Sequence, residues 1–484
     1  MGAVAASRKI TEAQPPGTIE SERMARTSPL LTEIRRLEKT HGRFESVDLL
    51  IPDLSGMLKG KRIRRDDFDK TAADGFAFCG GATLLNTLGE VTTGVPYGAD
   101  DGDPDLLARL VPGSVAPVPW SKRPMAQAFF RMVNEEGGDF FGDPRTVLER
   151  ALEPLRKRGV KPVVATELEF YLLDGASEKV RIGAPLIPGT RRPQPGTQIY
   201  NPDDLFEVED FLDDVYSWAA AQNVPADSAI SEYSPGQFEI NLRHVADPVL
   251  ACDHAVLLKR IVKAAARKHG LIACFMAKPF EEDSGNGLHI HMSLVGKDGK
   301  NYFSHGKETM AVPPFSARLR HAIGGLLQLM PESTALFCPN ANSYRRLRPD
   351  MFAPVEPNWG VNHRVVAVRI PESDETNLRL EHRPAGADAN PYLVMAAVAA
   401  GVHYGVKNRI EPGTMIEQGQ EITPRLRIPN RWEAAIDKFE GSKVLPAYLG
   451  SDYCRYYARV RRYEAEQFHN KIAQQDFDWY LRAV

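Results

Sequence analysis

Four short stretches of this sequence alternate functional and apolar residues with a period of two, and that period leaves little freedom in how they fold. They are Thr166-Glu167-Leu168-Glu169-Phe170, Gly236-Gln237-Phe238-Glu239-Ile240, Leu288-His289-Ile290-His291-Met292 and Arg379-Leu380-Glu381-His382-Arg383. Side chains two residues apart share one face of a strand, so each run predicts a β-strand with one buried apolar face and one face of Glu, Gln, His or Arg. A single run of this kind fits an edge strand whose charges are merely solvated. Four of them carry Glu, His and Arg together, a poor design for solubility and a good one for holding metal ions against a polyanion. Glu232, just upstream of the second run, adds another carboxylate.

The donor types narrow the chemistry. Carboxylates with one or two imidazoles suit Mg2+ or Mn2+. The five cysteines (Cys79, Cys252, Cys274, Cys338, Cys454) are scattered without CxxC spacing, which argues against a zinc-thiolate site and a disulfide framework. Arg364, Arg369, Arg379 and Arg383 form a cluster in sequence that fits phosphate oxygens and a substrate carboxylate, although each alone reads equally well as a surface ion pair. There is no GxxxxGK[ST] loop, and Gly285-Asn286-Gly287 does not complete GxGxxG. A nucleotide would therefore be held by metals and arginines rather than by a P-loop.

Composition sets the frame. With 484 residues, 43% hydrophobic and 25% charged, the chain can bury a large core divided between two domains. A formal net charge of -3 without a long basic run lacks the footprint of a nucleic-acid binder. No stretch reaches the length of a membrane span and the N-terminus is not laid out as a signal peptide, so the expected location is the cytoplasm. Residues 1–27 lack apolar periodicity and are expected to be a flexible extension. Ser28 and Pro29 open a helical pattern (Leu30, Leu31, Ile34, Leu37), and a strand-like stretch, Phe44 to Ile51, follows. A first domain is expected over 28–138 and a catalytic domain over 139–484, the latter beginning with a strand-like Asp139 to Phe141. An amphipathic helix then opens at Asp143 and Pro144, and Gly175 to Gln198 reads as a surface loop or flap.

Taken in order, these blocks resemble the glutamine synthetase signature. The likeness runs from about Phe44 to the C-terminus through EYSPGQFE (232–239), GNGLHIHMS (285–293), NSYRRL (342–347), NHRVVAVRIP (362–371) and RLEHRPAGADANPY (379–392). KGKR at 59–62, ELEFYLL at 167–173 and ADANPYLVMAA at 387–397 resemble the γ-glutamylpolyamine and γ-glutamylamine synthetase branch. The resemblance implies an α+β fold: an N-terminal β-grasp-like domain, then a catalytic domain with a curved antiparallel sheet. It implies ATP and Mg2+ or Mn2+, with Glu169, Glu232 and Glu239 on one metal and Glu167, His289 and Glu381 on the nucleotide-side metal. Arg346 and Arg383 would meet substrate carboxylate and transferring phosphoryl group, Glu232 would join them in catalysis, and the backbone at Gly285 would form the glutamate loop. Arg364, Arg369 and Arg379 would bind phosphate, and His291 and Ser293 would contact ATP. Family members form rings, often two stacked hexamers, with sites between subunits; a homo-oligomer, a dodecamer, is expected.

Several positions depart from the ammonia-using pattern. Phe352 stands where a flap glutamate is expected, and Cys79 or Gly80 where a neighbouring subunit would supply an aspartate. Loss of both acids removes the pull on ammonium and the base that deprotonates it. Ser284 replaces a frequent Asn beside the glutamate loop, and Asn86 stands where polyamine-type relatives carry Asp. Together with Gly81, Ala82 and Leu84, these residues suggest an apolar mouth. The expected reaction joins the γ-carboxylate of glutamate to an organic amine through γ-glutamyl phosphate, with an apolar or aromatic monoamine ahead of putrescine or spermidine. An ammonia-using glutamine synthetase and a non-catalytic structural or regulatory relative are the competing readings. The latter would be expected to lose metal ligands, whereas all six positions carry Glu or His.

Overall fold

The computed structural model describes residues 28–484 except 188, 191, 197, 350, 351 and 421–426; the expected N-terminal extension lies outside them. Helix α1 (Pro29–His41) starts with Pro29 in its first turn and buries Leu30, Leu31 and Ile34. Ser28 sits at its N-cap without a side-chain bond; its carbonyl instead accepts from Leu31 N at 3.1 Å. A six-stranded sheet follows, from β1 (Ser46–Pro52), β2 (Leu58–Arg64), β3 (Phe76–Cys79), β4 (Asp105–Leu110), β5 (Ala116–Pro117) and β6 (Met125–Val133). Its order is β2-β1-β6-β4-β3, with β5 on β6. The β1–β6 pair is parallel, Ser46 opposite Met125, and the other pairings are antiparallel.

Asp139 to Phe141 does not form the strand that its composition suggests. Asp139 makes one isolated bridge to Val133, and Phe140 turns wholly into the core because the chain must bend at once into the next helix. That helix, α2 (Pro144–Lys157), starts where the sequence places it. Asp143 accepts from Arg145 N, Pro144 occupies the first turn, and Val147, Leu148, Ala151, Leu152 and Leu155 are buried, a capped amphipathic start.

The second sheet comprises β7 (Lys161–Asp174), β8 (Ala226–Ser231), β9 (Gln237–Leu242), β10 (Leu271–Cys274), β11 (Leu288–Val295), β12 (Trp359–Val361), β13 (Val368–Ile370) and β14 (Leu380–His382). Its order is β12-β13-β14-β11-β7-β9-β8, and β10 also pairs with β7. It is antiparallel except for β12–β13. The helices around it include α3 (Pro248–Lys268), α4 (Ala317–Phe337), the short α5 (Ser343–Arg346) and α6 (Pro391–Asn408). Helices α4 and α6 pack backbone to backbone: a Cβ at Gly325 would stand 2.2 Å from Gly401 O, and one at Gly405 would stand 2.0 Å from His321 O. Larger residues would force the two helices apart. Gly175 to Gln198 carries only the isolated bridges Leu173–Ile182 and Leu186–Pro193 among its described residues.

Candidate active site

The period-two runs become one functional face because four strands adjoin in the order β14-β11-β7-β9. His289 lies opposite Glu167, His291 opposite Glu381, Glu169 opposite Glu239, and Glu167 opposite Asn241. The alternate residues Leu168, Phe170, Phe238, Ile240, Leu288, Ile290, Met292 and Leu380 are buried and fix this register, since a one-residue slip would reverse every face.

Glu167 is the centre of the face. Its two oxygens meet His289 Nδ1 at 3.0 Å and His291 Nε2 at 2.7 Å. Donor atoms of Glu167, His291 and Glu381 lie within 4.8 Å of one another, as do those of Glu167, Glu239 and His289. These clusters interleave the residues differently from the expected sets. His291, expected on ATP, joins a carboxylate cluster, and His289 reaches Glu239 as well as Glu167. Glu169 is 3.7 Å from His289 Nε2 but belongs to neither triad. Glu381 is fully buried, with Arg369 Nε 2.8 Å from Oε2 and Arg383 on Oε1.

Electrostatics divides the acids. Burial opposes the charge on Glu167, but His291 and His289 outweigh it and hold the carboxyl well below its usual range. Burial likewise opposes charge on Glu381, outweighed by Arg383, His291 and His289. Burial, then the charge of Glu169, pushes Glu232 up to about 7. Glu239 is raised well above its usual range by burial and by Glu167, Glu169 and Glu232. Such a crowd of buried acids fits a divalent ion, which would remove the repulsion that keeps protons on Glu232 and Glu239.

Two cavities meet at Glu167. The larger, about 1150 Å³, includes Glu167, Asn241, His291, Ser293, Lys300 and Arg379 in its wall. The smaller, about 520 Å³, gathers Glu167, Glu169, Glu232, Glu239, His289, Ser284, Gly285, Arg346, Phe352, Arg364, Arg369 and Arg383. Gly285 can approach Arg346 only because it lacks a side chain: a Cβ there would lie 2.8 Å from Arg346 Cγ and 2.5 Å from Ala277 O. Gly287 N donates to Glu169 Oε2 at 2.7 Å, and Gln237 Nε2 donates to Gly285 O at 3.0 Å. Ser284 is held by its backbone, its N–H donating to Ser234 Oγ and its carbonyl accepting from Tyr171 OH.

Residues 141–480 match the family described as "Glutamine synthetase, catalytic domain". The chain belongs to the glutamine synthetase family. Among curated relatives, it is 39% identical to γ-glutamylputrescine synthetase of Escherichia coli (strain K12), over 96% of this chain and 97% of that one. It is 30% identical to γ-glutamylethanolamide synthetase of Streptomyces coelicolor over 96% and 98%, and 28% identical to glutamate–isopropylamine ligase of a Pseudomonas species over 94% and 98%. A solved structure of ligand-free GmaS superposes with a TM-score of 0.78 at 26% identity, covering 93% of this chain and all of that one. Within the described residues of this family member, no helix is long and apolar enough to cross a membrane.

The segment 79–86, expected to face the site of a neighbouring subunit, is for the most part packed within its own chain. Asn86 is 2% exposed, and its amide is consumed in a turn, accepting from Leu88 N and Glu90 N and donating to Glu90 Oε2. Gly81, Ala82 and Leu84 are buried too; a Cβ at Gly81 would already collide with Tyr97 O at 2.2 Å. Half-buried Cys79 donates to Asp103, and its thiol is pushed up to about 11 by burial and that carboxylate. Neither Cys79 nor Asn86 lines the two cavities of its own chain. Phe352 does reach the mouth, 53% exposed with its ring 5.2 Å from Tyr233. Beside this pair, Ile199, Tyr200 and Leu205 line the wall; Ile199 and Tyr200 directly follow the loop read over 175–198 and Leu205 lies in the short helix Pro202–Phe206, and no pattern in the sequence set them apart. Lys300 follows a Gly296–Gly299 turn and carried no signal of its own.

Proposed function

We propose that the protein is an ATP-dependent ligase that joins the γ-carboxylate of glutamate to an organic amine, giving a γ-glutamylamide, ADP and phosphate. The observation that carries this reading is the meeting of two cavities at Glu167, where carboxylate–imidazole clusters stand together with Arg346, Arg369 and Arg383. ATP would occupy the larger cavity beside His291, Ser293 and Arg379, and glutamate the smaller, its α-carboxylate on Arg346 and its backbone contacts from Gly285 and Ser284. Mg2+ or Mn2+ held by Glu167, Glu169, Glu232, Glu239, His289 and Glu381 would supply positive charge to the phosphate oxygens. Arg364, Arg369 and Arg383 add fixed guanidinium charge for the transferring phosphoryl group.

A γ-carboxylate oxygen attacks the terminal phosphorus, the bond to ADP breaks, and γ-glutamyl phosphate forms. The amine nitrogen then attacks the γ-carbon and phosphate leaves. A proton must leave the nitrogen, and Glu232, which lines the same cavity as Phe352, is the carboxylate placed to take it. The absence of an acid at Phe352 disfavours ammonium. For the amine itself, the apolar monoamine is supported by the Phe352–Tyr233 pair and Ile199 at the cavity mouth. A second reading, a diamine such as putrescine, is favoured by the 39% identity to γ-glutamylputrescine synthetase. The division into 28–138 and 139–484, the β-grasp character of the first part, and assembly as a dodecamer that completes each site between subunits belong to the same proposal.

The test is glutamate-dependent phosphate release from ATP with ammonium, putrescine, spermidine, ethanolamine, isopropylamine and aniline, each amide confirmed by mass. Turnover of an organic amine well above ammonium is expected. Glutamine formation from ammonium at equal or greater efficiency would overturn the reading, and an absence of turnover with all six amines would count for a non-catalytic relative.

A further inference from the structure

The segment ADANPY, prominent in the sequence, has no contact role in the reading above, yet it stands where the two glutamate-binding elements join. Arg346 ends a helix of four residues, α5, too short to hold its own orientation. Its guanidinium donates to Pro384 O at 2.9 Å and Arg383 O at 3.4 Å. Four residues further along the same loop, Asp388 Oδ2 accepts from Asn340 Nδ2 at 2.8 Å and from Ser343 Oγ at 2.7 Å. Ser343 is the first residue of α5. One loop thus grips the arginine at its head and at the base of its helix.

The same loop also carries the Gly285–Gly287 turn. Ala387 N donates to Asn286 O at 3.0 Å, Leu288 N donates to Ala385 O at 2.9 Å, and Gly287 bridges Gly386. From behind, Lys259 of α3 reaches through the core so that its Nζ donates to Ala387 O and Ala389 O, on either side of Asp388. Asp388 lines neither cavity. Charge-assisted bonds of this kind fix geometry more firmly than neutral ones, and a site loosened by a fraction of an ångström loses its ligand.

We propose that Asp388, backed by Lys259, is a positioning residue that sets Arg346 against the Gly285–Gly287 turn, so that glutamate affinity depends on a carboxylate glutamate does not touch. This rests on the reading of Arg346 as the glutamate-carboxylate contact. The experiment uses the full chain with Asp388→Ala, Asp388→Asn, Ser343→Ala and Arg346→Lys, measuring KM for glutamate, KM for ATP and kcat. Loss of two hydrogen bonds to a charged acceptor should raise the glutamate KM of Asp388→Ala by about tenfold while the ATP KM stays within about twofold. Asp388→Asn, which keeps an acceptor oxygen, should return to within about threefold of the parent enzyme, and Ser343→Ala should fall between the two. If Asp388→Ala does not fold, Ser343→Ala decides by the same split. A rise in glutamate KM for Arg346→Lys alone overturns the positioning role of Asp388. A parallel rise for glutamate and ATP in Asp388→Ala or Ser343→Ala overturns it also, as a merely structural role. Unchanged glutamate KM in every variant, Arg346→Lys included, removes the reading of Arg346 on which it rests.

Discussion

The protons trapped in the acidic cluster give a quantitative prediction for metal binding. Glu232, pushed up to about 7, is close to half protonated at neutral pH, and Glu239 is held well above its usual range. A divalent ion requires both as carboxylates, so binding must expel their protons, and affinity must rise with pH. For Glu232 alone, protonation falls from about nine-tenths at pH 6 to about one-tenth at pH 8, which raises the apparent affinity roughly tenfold. Glu239 adds as much as about another tenfold per pH unit wherever it remains protonated. The sign is fixed: both groups bind protons more tightly in the empty site than in water, and the ion displaces them. Titration of Mn2+ by calorimetry at pH 6, 7 and 8 measures the slope. Repeating the pH 7 titration in buffers of different ionisation enthalpy counts the protons, expected at about 0.5 to 1.5 from these two acids. Glu232→Gln should remove about half a proton at pH 7 and flatten the slope by roughly one decade over that range. A variant with the parent slope and proton count would refute the argument.

Glu167 belongs to both donor clusters and Glu239 to one, so Glu167→Gln should weaken both Mn2+ sites in a binding isotherm and Glu239→Gln chiefly one; an unaltered site in Glu167→Gln would contradict the shared position. Phe352→Glu should restore a carboxylate at the exposed mouth beside Tyr233 and raise kcat/KM for ammonium about tenfold or more; an unchanged amine profile would remove Phe352 from amine selection. Burial pushes His254 down to about 4 and His382 down to about 3, so the unfolded chain takes up protons near pH 6.5 while both stay neutral in the fold. Their contribution is full above pH 6.5 and falls as pH drops toward 4, each at up to about 1.4 kcal/mol per pH unit. Urea unfolding at pH 7 and pH 5 checks this, and an equal slope in His254→Gln would refute its share.

The active face was legible from the sequence because a strand's pleat is local: Glu167 and Glu169, His289 and His291, Glu381 and its flanking arginines had to project together once their apolar neighbours were buried. Which cluster each joins was not legible, because register between strands that lie far apart in sequence is decided by pairing. Glu167 sits on β7, the strand with β11 and both histidines on one side and β9 with Glu239 and Asn241 on the other, and so becomes the residue shared by both clusters. Asp139 to Phe141 failed for a related reason. Three strand-like residues beside Gly142 had no room to pair before the Asp143 cap, so the apolar signal of Phe140 reported core packing instead. Cys79 to Asn86 is apolar and glycine-rich in sequence, which fits a pocket wall, but Tyr97 and Pro104 close over it: a Cβ at Gly80 would meet the Tyr97 ring at 2.7 Å and Pro104 O at 3.1 Å. Small residues there serve close backbone packing inside the chain. Within the chain itself, the side chains that reach the smaller cavity beside Phe352 are Tyr233, Tyr200 and Ile199, and their arrival at one mouth from three separate segments is a property of the fold and of no single motif.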